Sequence, residues 1–118
     1  MSALVLYLGN SQFIEIDGVK DQSTSPSTYL DTGVATGTLY DPTGNPVLGA
    51  ENVVGVYQIS SNGNYRFPMD PSQFNQASQP NLPLGGGYTF KVDITSNTIK
   101  YHIELACSVK VRKTGLET

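Results

Sequence analysis

Tryptophan is absent from this chain, cysteine and histidine occur once each, and only 14% of the residues are charged. A single cysteine, Cys107, allows no internal disulfide and no cysteine-rich metal centre. With His102 as the one histidine, the three or four nitrogen and sulfur ligands of the usual zinc sites cannot be assembled. Asp17, Asp21, Asp31, Asp41 and Asp70 fall at strand ends and loops without the Asp-x-Asp-x-Asp-Gly spacing of a calcium loop, and turns favour aspartate in any case. Gly85-Gly-Gly87 precedes a strand, whereas a phosphate-binding glycine loop needs a helix behind it and a Gly-Lys-Ser/Thr ending. No metal or cofactor is therefore expected. No apolar run approaches the roughly twenty residues of a membrane helix. The apolar start Met1–Leu8 is short and lacks the basic lead and cleavage site of a secretion signal, so the chain reads as made in the cytoplasm.

Charge of one sign is also scarce, with a net charge of −3. Eight acids face only Lys20, Arg66 and Lys91 up to Asn97; beyond it Lys100, Lys110, Arg112 and Lys113 outnumber Glu104 and Glu117. Four cations at one end are too few for a nucleic-acid footprint, so nucleic acid is not an expected partner.

What the chain does have is strand periodicity. Ile99, Tyr101, Ile103, Leu105, Cys107, Val109 and Val111 recur at period two, with Lys100, His102, Glu104, Ser108, Lys110 and Arg112 between them. A helix would scatter these apolar residues, whereas a strand puts them on one face. The spacing predicts one long strand, bent near Ala106. Ile14 and Ile16 oppose Glu15 and Asp17, and Tyr88, Phe90, Val92 and Ile94 alternate with Thr89, Lys91 and Asp93. Tyr65, Phe67 and Met69 line one side of a short strand. Along Val34–Asp41 the inward set is either Ala35, Gly37 and Leu39 or Val34, Thr36 and Tyr40, and Leu39 favours the first. Asn52–Ser60 reads as a strand with both faces buried. The Gly9-Asn10-Ser11 connection fits a hairpin between the first two strands. Residues 19–31 and 71–87 read as long loops, with a short edge strand at Thr28–Leu30 and a helical turn opening at Pro71. At 118 residues the chain is expected to form one domain, 1–118. The expected class is all-β: a single antiparallel β-sandwich of about seven or eight strands with little or no helix.

The phrase Gly37-Thr-Leu-Tyr-Asp-Pro-Thr-Gly-Asn-Pro-Val-Leu-Gly-Ala50, followed by Gly63-Asn-Tyr65 and Gly87-Tyr-Thr-Phe90, resembles the immunoglobulin-like sandwiches of the transthyretin-like, carboxypeptidase-regulatory and Cna-B types. That likeness spans about half of the chain and bears on architecture, not activity. A narrower one spans nearly all of it. Ile14-Glu-Ile-Asp-Gly18, Tyr29-Leu30, Val34–Asp41, Gly63-Asn-Tyr-Arg66 and the basic ending Val109-Lys-Val-Arg-Lys113 resemble, in order, small prophage and tailed-phage proteins. The segments Gln76–Pro83 and Ala106-Cys107-Ser108 depart from that pattern. The resemblance implies a virion structural component of head, neck or tail, made in the bacterial host cytoplasm, whose partners are virion proteins or copies of itself. The isopeptide bond of some Cna-B domains is not implied, because Lys20, Glu51 and Glu104 match no such motif.

Converging catalytic groups are few. His102 falls at an outward position between Lys100 and Glu104, and Cys107 falls on the apolar row, so neither reads as catalytic and no enzyme or small-molecule substrate is expected. A transthyretin-like hydrolase would need several histidines. The candidate interaction surface comprises Leu4, Leu6 and Leu8 of the N-terminal run, which is either stitched into the sheet or offered to a neighbour by strand addition. It also takes in Tyr29, Leu30, Phe74, Lys110, Arg112 and Lys113. A second reading is a carbohydrate-binding or adhesion module with Tyr7, Tyr29 or Tyr40 as platforms.

Overall fold

A computed structural model describes residues 4–17, 20–21, 28–29, 33–58, 63–96 and 99–111. These residues form strands β1 (Leu4–Tyr7), β2 (Phe13–Ile16), β3 (Lys20–Asp21), β4 (Thr28–Tyr29), β5 (Val34–Tyr40), β6 (Val53–Tyr57), β7 (Tyr65–Pro68), β8 (Gly85–Ser96) and β9 (Ile99–Lys110). No helix occurs among the described residues, so the protein is all-β. Seven strands form one sheet in the order β1-β9-β8-β5-β6-β7-β2, and β3 and β4 pair as a separate ribbon.

The strand order forces that sheet to curl. β1 and β2 lie at opposite ends of it, and six inter-strand spacings laid flat would hold them about 29 Å apart. Only Leu8–Gln12 connects them, a link that reaches about 20 Å at full extension. The link is also tied down: Gly9 N–H donates to the Phe74 carbonyl at 2.7 Å, and Tyr7 N–H donates to Gln12 Oε1 at 3.0 Å. The hairpin expected from Gly9-Asn10-Ser11 therefore does not form. β1 instead runs parallel to β9, Leu4 opposite Cys107 through Tyr7 opposite Lys110, while β2 pairs antiparallel with β7. Direction is free here, because no short turn joins β1 to β9.

The bend falls where the inner face has been stripped to hydrogen. Ala35 pairs with Gly55 across β5 and β6, and Gly37 pairs with Val92 across β5 and β8. Over these glycines the rings of Phe67 and Phe90 meet edge-on, centroids 5.4 Å apart and planes at 72°. In a flat sheet β7 and β8 would stand about 14 Å apart. A methyl group on Gly37 would come within 2.4 Å of the Phe90 ring, and one on Gly55 within 2.5 Å of the Phe67 ring. Ile14, Ile16, Tyr65, Ala35, Leu39, Tyr88, Val92 and Ile94 are among the buried residues of the same interior as the two rings. Ala35, Gly37 and Leu39 are thus the inward set of β5, as Leu39 suggests.

Other local expectations are met or revised. β6 is not buried on both faces: Val54 and Val56 stand 62% and 55% exposed, since only one side of the curl has an interior. β9 keeps its register through Ala106, and the irregularity lies across from it. Gly85 faces Val109 but Tyr88 faces Cys107, so three steps on β8 match two on β9. That bulge uses Gly85 and Gly87 at φ +114° and +94°, a region glycine enters without steric cost. The 19–31 loop contains the β3–β4 ribbon, and the 71–87 loop ends at Leu84, where β8 begins. A single helical turn does open at Pro71. Asp70 accepts from Ser72 N–H through Oδ1 at 3.0 Å and from Phe74 N–H through its carbonyl at 2.8 Å, which drives Phe74 into the core.

The glycine corner makes a testable contrast. Gly37→Ala is expected to cost about 1–3 kcal/mol in urea unfolding, because the added methyl would press on the fully buried Phe90 ring. Gly86→Ala, which meets nothing within 4 Å, should stay within about 0.5 kcal/mol. Equal effects at both positions would show that the corner is not tightly packed.

Candidate functional site

Two surfaces of the curled sheet carry exposed groups in ordered arrays. The first spans β5, β6, β7 and β2 on the outer face. Because Ala35 and Gly55 point inward as a pair, Val34 and Val56 beside them point out, together with Val54. Val34 is 71% exposed, and Phe13 at the far edge is 49% exposed. Val56 pairs with Arg66 and Arg66 with Glu15, which puts an ion pair beside the valines, Nε to Oε1 at 2.7 Å. Arg66 also lies over the Phe13 ring, its Cζ 4.5 Å from the centroid. Glu15 is held below the ordinary glutamate pKa, chiefly by the hydrogen bond from Arg66. The outcome is an apolar patch edged by one fixed ion pair, a composition suited to contact with another protein surface.

The second array lies on the outer face of the β8–β9 hairpin. His102 sits opposite Asp93. Its Nδ1 is 2.8 Å from Asp93 Oδ1, and its Nε2 is 2.7 Å from Glu104 Oε2. Both ring nitrogens therefore face carboxylate oxygens, and only the imidazolium can donate to both. Its pKa is raised above the ordinary 6.5, first by the Asp93 hydrogen bond and then by that of Glu104. Glu104 is lowered in return by His102. All three side chains are half exposed or more, so this is a solvated ion-pair chain. His102 also lines an open hollow with Asp93, Ile94, Thr95, Lys100 and Tyr101, and the described residues hold no group of three side chains placed to bind a metal ion.

The residues singled out from the sequence are dispersed rather than gathered. Leu6, Leu8 and Phe74 are 3%, 7% and 0% exposed. They belong to the core and not to an interaction surface, because β1 is stitched beside β9 and the Asp70 turn folds Phe74 inward. Leu4 lies at the sheet edge, 36% exposed, and Lys110 is exposed while its carbonyl accepts from Leu8 N–H at 3.0 Å. Tyr29 is placed in β4 by its backbone alone; Leu30, Arg112 and Lys113 lie outside the described residues. Tyr40 is half-buried with Lys91 Nζ 5.0 Å above its ring, so that face is not an open platform. Cys107 is buried, and burial pushes its thiol up to about 11, as suits an unreactive core group. The sequence reading missed Val34, Val54, Val56 and Phe13. Gly55 in the middle of β6 was the available signal, since a strand with a glycine on one face has its large side chains on the other.

Comparison with known protein families, with curated proteins and with solved structures finds no match.

The His102 bridges give a pH prediction. Folding raises this imidazole above 6.5. Its stabilising contribution is therefore complete below about pH 6.5 and fades as the pH rises through the higher folded midpoint. An NMR titration should place the His102 midpoint above 6.5, and Asp93→Asn should lower it. A midpoint at or below 6.5 would mean that the two bridges do not persist in solution.

Proposed function

We propose that this protein is a non-enzymatic structural component of a phage or prophage virion, acting through protein–protein contacts. On this reading its curled sheet is a variant of the immunoglobulin-like, transthyretin-like sandwich, in which the Asp41–Ala50 turn joins β5 to β6. The observation that carries the proposal is the outer-face patch of Val34, Val54, Val56 and Phe13, large apolar side chains left exposed side by side on the sheet. The order of short motifs shared with small tailed-phage proteins supplies the class of partner. The side chains with titratable chemistry support the same reading, since His102 is held between carboxylates and Cys107 is buried.

Mass spectrometry of particles purified from the induced host strain tests this. The chain should be present in the particles at a reproducible copy number. Replacing Val54 and Val56 together by aspartate should leave circular dichroism unchanged and reduce incorporation by about tenfold or more. Absence of the wild-type chain from every particle fraction would overturn the assignment.

A further inference from the structure

A line of side chains crosses the outer face of β5, β8 and β9: Tyr40, Lys91, Glu104, His102 and Asp93. Register places Lys91 of β8 directly opposite Glu104 of β9, and Asp93 directly opposite His102. Glu104 nevertheless pairs with His102 on its own strand, Oε2 to Nε2 at 2.7 Å. Lys91 turns the other way, and its Nζ lies 5.0 Å from the centroid of the Tyr40 ring. The negative face of that ring attracts the ammonium group. Lys91 still acts on Glu104 from there, since its charge is one of the causes that lower the Glu104 carboxyl.

This arrangement requires the imidazolium. Each ring nitrogen of His102 faces a carboxylate oxygen, and a neutral imidazole has a single N–H to donate. Once the proton leaves, one of the two bridges sets a lone pair against a carboxylate and is lost. Position decides which. In an antiparallel pair, directly opposed residues have Cβ atoms about 4.5–5.5 Å apart, whereas diagonal neighbours stand about 7–8 Å apart. Glu104 has a second cation, Lys91, directly opposite; the nearest lysine on β9 to Asp93 is Lys100, on a diagonal. Glu104 is therefore the carboxylate that gains by leaving, and the remaining N–H stays on Nδ1, toward Asp93. The charged groups beside His102 are Lys91 and Asp93 from β8, and Lys100 and Glu104 from β9. β5 adds the phenol of Tyr40 and no charge. Among the described residues β1 begins at Leu4, opposite Cys107, and brings no charge to Glu104.

We propose that loss of the His102 proton transfers Glu104 from His102 to Lys91 and so draws Lys91 off the Tyr40 ring, uncovering that aromatic face as the pH rises. The device does not depend on the virion reading. Proton NMR of the full chain tests it, titrated from about pH 5 to about pH 9 to bracket an imidazole midpoint raised above 6.5. At the acid end the Lys91 ε-methylene protons should be shifted upfield by the Tyr40 ring current and show a nuclear Overhauser contact with that ring. Both signs should fade with the same midpoint as the His102 ring protons. In Glu104→Gln, with folding verified by circular dichroism, His102 should still titrate while Lys91 stays on the ring throughout. Lys100→Gln should leave the release of Lys91 unchanged. A Lys91 signal without the upfield shift at the acid end, or one that holds it through the His102 midpoint, would overturn the proposal. So would release that survives in Glu104→Gln or disappears in Lys100→Gln.

Discussion

The edge-to-face contact between Phe67 and Phe90 is the constraint on which the rest of the structure depends. Each ring is fully buried, and together they fill the space left where β5 and β6 carry Gly37 and Gly55. Such a pair contributes about 0.5–1.5 kcal/mol beyond its area burial, and burying each ring adds roughly 1.5–3 kcal/mol. Glycine within a strand costs about 0.5–1 kcal/mol relative to alanine, so two of them are offset if they admit both rings. Once the corner is folded, β7 faces β8, the two ends of the sheet approach, and a five-residue link suffices between β1 and β2.

A curl of this kind has one inside and one outside, and the scarcity of charge follows from how the outside is used. The ion pairs among the described residues lie on the outer face: Arg66 with Glu15, and His102 with Asp93 and Glu104. Between them the outer face of β5 and β6 is given to valine and threonine. Fixed dipoles at the turns do the remaining polar work. Asp41, for example, is held below the ordinary aspartate pKa by the Thr43 hydroxyl and by the backbone of the turn it caps. The chain thus keeps its charges for local pairing and leaves an apolar stretch of sheet in solvent.

Much of the local structure was legible in the sequence, and the reasons differ from element to element. The period-two row from Tyr101 to Val109, the Ile14/Ile16 face and the Leu39 face of β5 follow from side-chain alternation, which a half-buried strand enforces. The Pro71 turn follows from local capping by Asp70. Strand partnership was not legible, because it depends on contacts distant in sequence. Gly9-Asn10-Ser11 has hairpin chemistry, yet the apolar run before it gains more by lying beside β9, where Leu6 and Leu8 become buried. A bend is expected near Ala106 from the sequence, whereas the register shift lies on β8, between Gly85 and Tyr88, opposite Val109 and Cys107. Leu6, Leu8 and Phe74 look like surface candidates in a list of apolar residues near a terminus or loop; only the curl shows that they face inward. The valine patch was hidden for the converse reason: an unbroken apolar run does not reveal that one of its faces has no interior to meet.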